Sequence, residues 1–242
     1  MRTVYYNGKS FESLGLIIRK AIVPPNSAEK RRTISIPDGP VIIENTKVRD
    51  PVSFPIECTV VEPDKLRDIY AMCQKEGTLI LPDEPDKYYY GILTVSTPKN
   101  IILYYNNITF TMTAEPYAYA VNNPEIICSL QDGASWYRYT NVSNAGTAEC
   151  EPVYKVTTPG GGSFDIWIQV NGEKTFGCRI NVDEEDTIRI DVQNKIILNS
   201  HDQIITHKAV EDFTKLVLPP GDSTICISNC TQLKLVKNER WY

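Results

Sequence analysis

The two histidines of this chain are the first side chains to consider for acid–base chemistry or metal binding. His201 and His207 lie six residues apart. On one straight strand they would share a face but stand about 20 Å apart, which is too far for a single metal ion. A bend would bring them together, yet a polar loop between two strands accounts for both. We therefore predict no metal site at these histidines.

The cysteines are odd in number and include no Cys-x-x-Cys pair of the zinc or redox type. Cys226 and Cys230 are four apart on a predicted strand and would point to the same face, so a local disulfide is conceivable but not required. Free cysteine is commonly buried, and we expect reduced, mostly buried thiols in a reducing compartment. The seven are Cys58, Cys73, Cys128, Cys150, Cys178, Cys226 and Cys230.

The sequence contains none of the common motifs that build enzyme sites. It has no Gly-x-Ser-x-Gly nucleophile elbow and no Gly-x-x-x-x-Gly-Lys-Ser/Thr phosphate loop. The glycine-rich stretch at residues 159–163 joins two predicted strands instead of opening a helix. The acidic run at residues 183–186 lacks the alternating ligands and central glycine of a calcium loop. We predict that the chain is not an enzyme and has no catalytic, cofactor-binding or metal-binding residues.

Trp167 is the candidate for a binding role, because sugar-binding sandwiches stack sugar rings on exposed aromatic side chains. It alternates out of step with Ile166 and Ile168, so one of the two sets faces away from the core. Saccharide stacking on Trp167 is one interpretation. Packing of Trp167 in the interior, or under a partner subunit, is the other.

The distribution of charge excludes one class of partner. Residues 1–124 carry 14 Lys and Arg against 14 Asp and Glu, and residues 125–242 carry 11 against 16, for a net charge of -5. Sequence-independent nucleic-acid binding needs a basic face, so we expect no direct nucleic-acid partner. No apolar run approaches the roughly 20 residues of a membrane span, and we expect a protein that is made and kept soluble.

Alternating and helical patterns organise the first half of the chain. Residues 3–6 and 14–18 predict a hairpin around a turn at Asn7-Gly8, and residues 52–61 predict a further strand. Residues 63–77 predict one helix, which begins near Pro63 and ends at Gly77. Its apolar stripe, expected to pack on a sheet, consists of Leu66, Ile69, Tyr70 and Cys73.

A long segment at residues 22–51 is interrupted by prolines and contains strand-like pieces at residues 33–36 and 41–43. A segment this long that is expected to pack little against its own domain needs an explanation. One is an arm that completes its packing on a neighbouring subunit. The other is an ordinary solvated surface hairpin.

The second half predicts β-structure throughout, after a break in periodicity at residues 121–124 that marks the domain boundary. Asn171-Gly172 is a strong hairpin signal, because a type I′ turn needs positive φ at both central positions. We expect an antiparallel sandwich or jelly roll. The predicted strands cover residues 126–130, 136–140, 153–157, 164–170, 175–180, 187–192, 195–198, 213–218, 224–227 and 231–236.

Two segments of the first half resemble a known family when they are taken together. An acidic, proline-containing turn leads into Tyr88-Tyr89-Tyr90-Gly91 within residues 81–91, and an alternating strand at residues 108–119 contains Glu115-Pro116-Tyr117. Pattern and order resemble the N-terminal domain of siphophage distal tail (Dit) proteins. Four segments of the second half are similar to the C-terminal galectin-like sandwich of the same family, at residues 144–154, 164–172, 188–191 and 213–225.

The resemblance covers nearly all 242 residues and implies a mainly β protein. It implies an N-terminal β-rich ring (belt) domain with one α-helix at residues 1–122. It also implies a C-terminal galectin-like antiparallel β-sandwich at residues 123–242. The segment at residues 22–51 would then be the arm that reaches a neighbour, with inter-subunit contacts predicted at Arg31, Arg32, Ile34 and Ile36.

The function that the resemblance implies is structural. Distal tail proteins form hexameric rings at the tip of a long, non-contractile phage tail, where they connect the tail tube to the receptor-binding baseplate. The expected partners are further copies of the chain, the tail tube protein, the tail-associated or tail-fibre hub protein and the tape measure protein. The expected location is the tail tip of the virion, after assembly in the cytoplasm of the host bacterium.

Two other functions remain as alternatives. A galectin-like carbohydrate-binding module carried on a small N-terminal domain would use an aromatic platform such as Trp167. A cell-wall hydrolase is disfavoured by the shortage of histidine and the lack of a nucleophile motif.

Overall fold

The computed structural model describes residues 3–35, 41–95, 106–133, 136–183 and 185–242. Over these described residues the chain is mainly β, with one short α-helix, which confirms the predicted fold class. It divides into two compact units, residues 1–121 together with Tyr242, and residues 122–241. This division comes one residue before the boundary predicted from sequence.

The first unit is built around one antiparallel sheet. Seven strands pair in the order β2-β1-β7-β8-β9-β6-β3, and β4 and β5 form a separate two-stranded sheet. The strands are β1 Tyr5–Tyr6, β2 Lys9–Ser10, β3 Leu16–Ile18, β4 Glu29–Ser35, β5 Val41–Arg49, β6 Val52–Val60, β7 Glu76–Leu81, β8 Glu84–Val95 and β9 Asn106–Ala120.

Strand β6 shows why this sheet forms, because every second side chain is apolar and buried. Val52, Phe54, Ile56, Cys58 and Val60 all face the core. The core side of the sheet also carries aromatic pairs, including Phe11 with Phe110 at 5.2 Å and Phe54 with Tyr89 at 5.6 Å between ring centroids.

The helix is shorter than predicted. A 3₁₀ turn at Pro63–Lys65 leads into α1, Leu66–Met72, and Ile69 and Met72 are its buried residues. The predicted stop at Gly77 is wrong, since Gly77 lies inside β7. A Cβ atom there would lie 1.8 Å from Oδ1 of Asn7, which accepts a hydrogen bond from the Thr78 amide. Gly77 therefore makes room for a side chain of the neighbouring turn.

The first hairpin also differs from the prediction. Asn7 and Gly8 have φ of 50° and 76° and form the expected turn, but β1 pairs with Lys9–Ser10 instead of residues 14–18. Leu14 ends a 3₁₀ turn that stops at Gly15, with φ of 66°. The chain then reverses, and Leu16–Ile18 pairs with β6 at the opposite end of the sheet.

The second unit is a sandwich of two antiparallel sheets. One has the order β10-β19-β13-β16-β17, and the other, called here the cleft sheet, has the order β11-β12-β18-β14-β15. Both contribute to one apolar core. The strands of the two sheets are β10 Ile126–Ile127, β11 Gln131–Asp132, β12 Arg138–Asn144, β13 Val153–Thr157, β14 Gly162–Val170, β15 Glu173–Val182, β16 Thr187–Asp191, β17 Ile196–Leu198, β18 Gly221–Ile227 and β19 Gln232–Val236. A last short strand, β20 Arg240–Trp241, belongs to neither sheet of the sandwich.

Most predicted strands of this unit are present, and Asn171-Gly172 joins β14 to β15 with positive φ at both residues. The strand predicted at residues 213–218 is wrong. Phe213–Lys215 forms a 3₁₀ turn, because the Asp212 carboxylate accepts hydrogen bonds from the Thr214 amide and hydroxyl. Phe213 and Leu216 still reach the core, at a spacing of three residues.

The cysteines agree with the expectation of buried thiols. All seven are free and five are buried. The expectation that Cys226 and Cys230 share a strand is wrong. Cys226 lies in β18, and Cys230 follows a turn in which Asn229 has a φ of 45°.

Candidate functional site

The first candidate site is the arm, the two-stranded hairpin formed by β4 and β5. Its base is closed by backbone and side-chain hydrogen bonds. The Ser27 hydroxyl donates to the Asp50 carbonyl oxygen at 2.6 Å, and the Asp50 amide donates to the Ala28 carbonyl oxygen at 3.4 Å. The Arg49 guanidinium donates to the Ser27 carbonyl oxygen. The hairpin therefore begins and ends at nearly the same point of the first unit.

The predicted contact residues lie on the first strand of the arm. Arg31 is exposed, and its backbone is in register with Asn45. The backbone of Arg32 is in register with Glu44, and that of Ile34 with Ile42. Ile36 falls outside the described residues.

The unpaired strand edges are the feature of the arm that suits it to assembly. Among the residues that the structure describes, β4 and β5 pair as strands only with each other. Each strand therefore has one edge whose backbone N–H and C=O groups are not used in a sheet ladder. Such edges pair readily with a strand of another chain.

The second candidate site is an aromatic cluster on the cleft sheet. Trp167 lies on β14 between the core residues Ile166 and Ile168, so its side chain points to the other face of the sheet. The ring of Trp136 stacks on it, with 5.1 Å between centroids and 22° between planes. Tyr137 meets Trp167 edge-on at 5.1 Å.

The exposure of these rings bears on the two interpretations of Trp167, since saccharide stacking needs an open ring and packing needs a covered one. Trp167 is only 6% exposed, whereas Trp136 is 60% exposed. The open ring is therefore Trp136, and Trp167 is the buried layer behind it. Sequence reasoning singled out Trp167 and predicted a strand from residue 136, whereas β12 begins at Arg138.

Glycine is required beside Trp167. Gly177 lies opposite it on β15, and a Cβ atom at this position would lie 2.8 Å from the Trp167 Cβ. The same Cβ would lie 2.8 Å from Cε of Lys174, whose Nζ lies 5.9 Å from the Trp167 ring centroid. The absent side chain lets the lysine fold over the aromatic cluster.

A cleft of about 610 Å³ opens beside the aromatic cluster. Its floor carries a bidentate ion pair, in which Arg179 Nε and Nη2 donate to the Asp165 carboxylate at 2.7 and 3.0 Å. These hydrogen bonds raise the pKa of Arg179. The Arg179 amide donates to Glu211 at 2.7 Å. These hydrogen bonds fix the positions of Asp165, Arg179 and Glu211 relative to one another.

A row of polar side chains lies on the same face of the cleft sheet, next to Trp167. Asn141, Thr224 and Gln169 are direct neighbours across β12, β18 and β14. The Thr224 hydroxyl donates to Asn141 Oδ1 at 2.8 Å. Gln169 lines both the aromatic cleft and an adjoining cleft of about 510 Å³.

The remaining sequence candidates do not converge on a site. His201 and His207 are both exposed, on a turn and on a 3₁₀ turn at Thr206–Lys208. Within the described ranges, no group of three or more His, Cys, Asp or Glu side chains is placed to hold a metal ion. The described helices include none of the length and hydropathy needed to cross a membrane.

Comparison with solved structures finds the same fold in a phage protein. The crystal structure of SPP1 Dit (gp 19.1), described as a paradigm of the hub adsorption apparatus in phages that infect Gram-positive bacteria, matches with a TM-score of 0.67. The similarity covers 99% of this chain and 99% of that one, at 15% sequence identity. No protein-family model matches the chain, and no curated protein matches it by sequence. The resemblance to distal tail proteins is confirmed at the level of the fold.

Proposed function

We propose that this chain is a structural protein of a siphophage tail, the distal tail protein that forms a hub at the tail tip. The observation that carries the proposal is the likeness to the SPP1 Dit fold over 99% of both chains. It spans two differently built units, so a shared single domain does not explain it. SPP1 Dit belongs to a hub adsorption apparatus, and we extend that role to this chain.

The hub would be a hexameric ring. A closed ring needs a heterologous interface, in which one patch of a subunit meets a different patch of the next. The arm supplies one such patch, because the outer edges of β4 and β5 offer unused main-chain groups to a neighbour's sheet. Arg31, Arg32, Ile34 and Ile36 would lie in this contact.

The ring would connect the tail tube to the tail-tip machinery without catalysing a reaction. Its partners would be the tail tube protein, the tail-associated or tail-fibre hub protein and the tape measure protein. The protein would assemble in the host cytoplasm and remain at the tail tip of the virion. The sandwich of the second unit would be the galectin-like domain of this family.

Native mass tests the proposal directly. Sedimentation velocity and native mass spectrometry over a concentration series should show a species of six times the 27.4 kDa chain mass. Negative-stain images of that species should show rings with a central channel. The proposal would be wrong if the protein stayed monomeric at every concentration and also when the tail tube protein of the same phage was added.

A further inference from the structure

The outward face of the cleft sheet is organised in a way that core packing does not require. Inward side chains such as Ile166 and Ile225 fill the sandwich core. On the opposite face, one cross-strand row runs Tyr139, Cys226, Trp167 and Gly177, and the next row runs Asn141, Thr224, Gln169 and Lys174. An aromatic row therefore lies beside a row of hydrogen-bonding side chains.

Trp136 gives this face a flat apolar surface. It is more exposed than any other aromatic side chain among the residues that the structure describes, yet its ring is held by stacking on Trp167 and by an edge contact with Tyr137 at 4.9 Å. A large aromatic ring that is both fixed and exposed offers one face for stacking at little further cost in side-chain entropy. The CH face of a sugar ring is a ligand surface of that shape.

The polar groups around the ring suit a ligand rich in hydroxyl groups. Gln169, Asn141 and Thr224 present amide and hydroxyl groups that both donate and accept hydrogen bonds. The Asp165–Arg179 pair adds a fixed acceptor and a fixed donor at the floor of the cleft. Sugar hydroxyls need this mixture, because each one donates and accepts.

The charge of the cleft points to a neutral ligand. Two acidic side chains, Asp165 and Glu211, line it together with two basic ones, Lys174 and Arg179, so the lining has no net charge. A site for phosphate or carboxylate would carry an excess of Lys and Arg.

The length of the face points to more than one sugar ring. The aromatic cleft of about 610 Å³ shares Gln169 with the adjoining cleft of about 510 Å³. It shares Trp136 and Tyr137 with a third cleft of about 430 Å³. Both neighbouring clefts therefore adjoin the aromatic cleft through shared lining residues.

We propose that the outward face of the cleft sheet is a binding site for a neutral oligosaccharide. One sugar ring stacks on Trp136, and a neighbouring ring contacts Gln169, Thr224 and Asn141. Trp167 is a positioning residue that backs Trp136. The site uses residues of the second unit alone, so it holds or fails independently of the proposed ring.

The test uses the full chain on an array of neutral oligosaccharides of four or more residues, built from glucose, galactose, rhamnose and N-acetylhexosamines. Glycans that bind are then titrated by calorimetry. Trp136→Ala should weaken binding about tenfold or more, since it removes the stacking surface. Trp136→Tyr should retain most of the affinity, and Gln169→Ala should weaken it about threefold to tenfold. Ile204→Ala, which trims a side chain that is 65% exposed and outside all three clefts, should leave binding unchanged.

Three results would overturn the proposal. The first is an array on which no neutral glycan binds the unaltered protein. The second is a glycan affinity that is as high in Trp136→Ala and in Gln169→Ala as in the control Ile204→Ala. The third is binding through Trp136 to a different ligand while no neutral glycan binds. That ligand would be poly(glycerol phosphate), which is included as an anionic probe, or another tail protein. Because Trp136 packs against Trp167 and Tyr137, the melting temperature of each variant is measured on the same samples, so that loss of binding is assessed on folded protein only.

Discussion

The hydroxyl of Ser27 donates a hydrogen bond to the backbone carbonyl oxygen of Asp50, 23 residues further along the chain. Ser27 is itself 5% exposed, so this contact is part of the first unit's interior. Together with the bond from the Asp50 amide to the Ala28 carbonyl oxygen, it closes the base of the arm. The fold of the first unit can therefore be separated from the hairpin that extends beyond this base.

Removal of the arm should leave a folded protein that no longer forms the proposed ring. Residues 30–48 are replaced by Asn-Gly, a two-residue turn that joins the paired residues Glu29 and Arg49 and keeps the Arg49 hydrogen bond at the closed base. The main sheet of the first unit keeps all of its strands, because β4 and β5 belong to a separate sheet. Circular dichroism should show a cooperative β protein, and sedimentation velocity should show a monomer.

A hexamer that survives this deletion would remove the arm from the assembly mechanism. The matched control is Ile127→Ala, which trims a side chain of the second unit that is 65% exposed. The control should sediment like the unaltered protein. An unfolded deletion variant would instead contradict the inference that the arm is separable.

Charge reversal on the arm should weaken assembly more than the same change elsewhere on the first unit. Arg31→Glu alters an exposed position on β4, and Lys9→Glu alters an exposed position on β2. An exposed charge at an interface contributes little, so we expect Arg31→Glu to weaken each subunit contact about twofold to fivefold. The concentration at which hexamer appears, measured by mass photometry, should rise for Arg31→Glu and stay the same for Lys9→Glu. Equal shifts for the two variants would argue against Arg31 as a contact residue.

Local patterns predicted most of the fold. The alternation of β6 and the Asn171-Gly172 turn each depend on neighbours in sequence, and both appear as expected. The errors occur where a polar contact outside the apolar pattern decides. Gly77 is set by the side chain of Asn7, and the turn at Phe213–Lys215 is set by capping from Asp212. Neither contact has a signature in a pattern of apolar residues.

The aromatic site was only partly predictable. Alternation around Trp167 indicated that its ring faces away from Ile166 and Ile168, and the structure places it outside the core. The stacking of Trp136 on that ring joins residues 31 positions apart in the chain. Sequence alone therefore indicated that Trp167 and its neighbours Ile166 and Ile168 lie on opposite faces, but neither which face meets the core nor which ring stays open.

Gly91 should not tolerate a side chain. It ends the tyrosine-rich run of β8 at a register shift against β9, where an added Cβ would lie 2.1 Å from the Thr113 carbonyl oxygen and 2.6 Å from Ala114 Cα. Both are backbone atoms, so the strands must separate to relieve the clash. Gly91→Ala should lower the free energy of unfolding by about 1–3 kcal/mol.

Gly160→Ala provides the matched control, since no atom lies within 4 Å of its added Cβ and its φ is not in the left-handed region. Its effect should stay within about 0.5 kcal/mol. Calorimetry on both variants measures the difference. Similar melting temperatures for the two would show that β8 and β9 are not in such close contact at Gly91.

Stability should fall as the pH rises above 9, because the buried thiols resist ionisation. Burial raises the pKa of the Cys58 thiol from 9.0 to about 12, and burial likewise raises the pKa of Cys150 to about 12. Both thiols are neutral below pH 9 in the folded and unfolded chains, so their contribution to stability is then fully present. Above pH 9 only the unfolded chain ionises, and stability is lost until the folded pKa is reached. Ionisation of each of these two thiols in the unfolded chain should lower the free energy of unfolding by up to about 1.4 kcal/mol per pH unit.

Urea unfolding at pH 7, 8, 9 and 10, with a reductant present, measures this dependence. The free energy of unfolding should be flat from pH 7 to 8 and should decline between pH 9 and 10. The double variant Cys58→Ala/Cys150→Ala should be less stable at pH 7, since it leaves cavities, but its decline above pH 9 should be shallower. Equal slopes for the variant and the unaltered protein would show that these two thiols are not the source of the alkaline loss of stability.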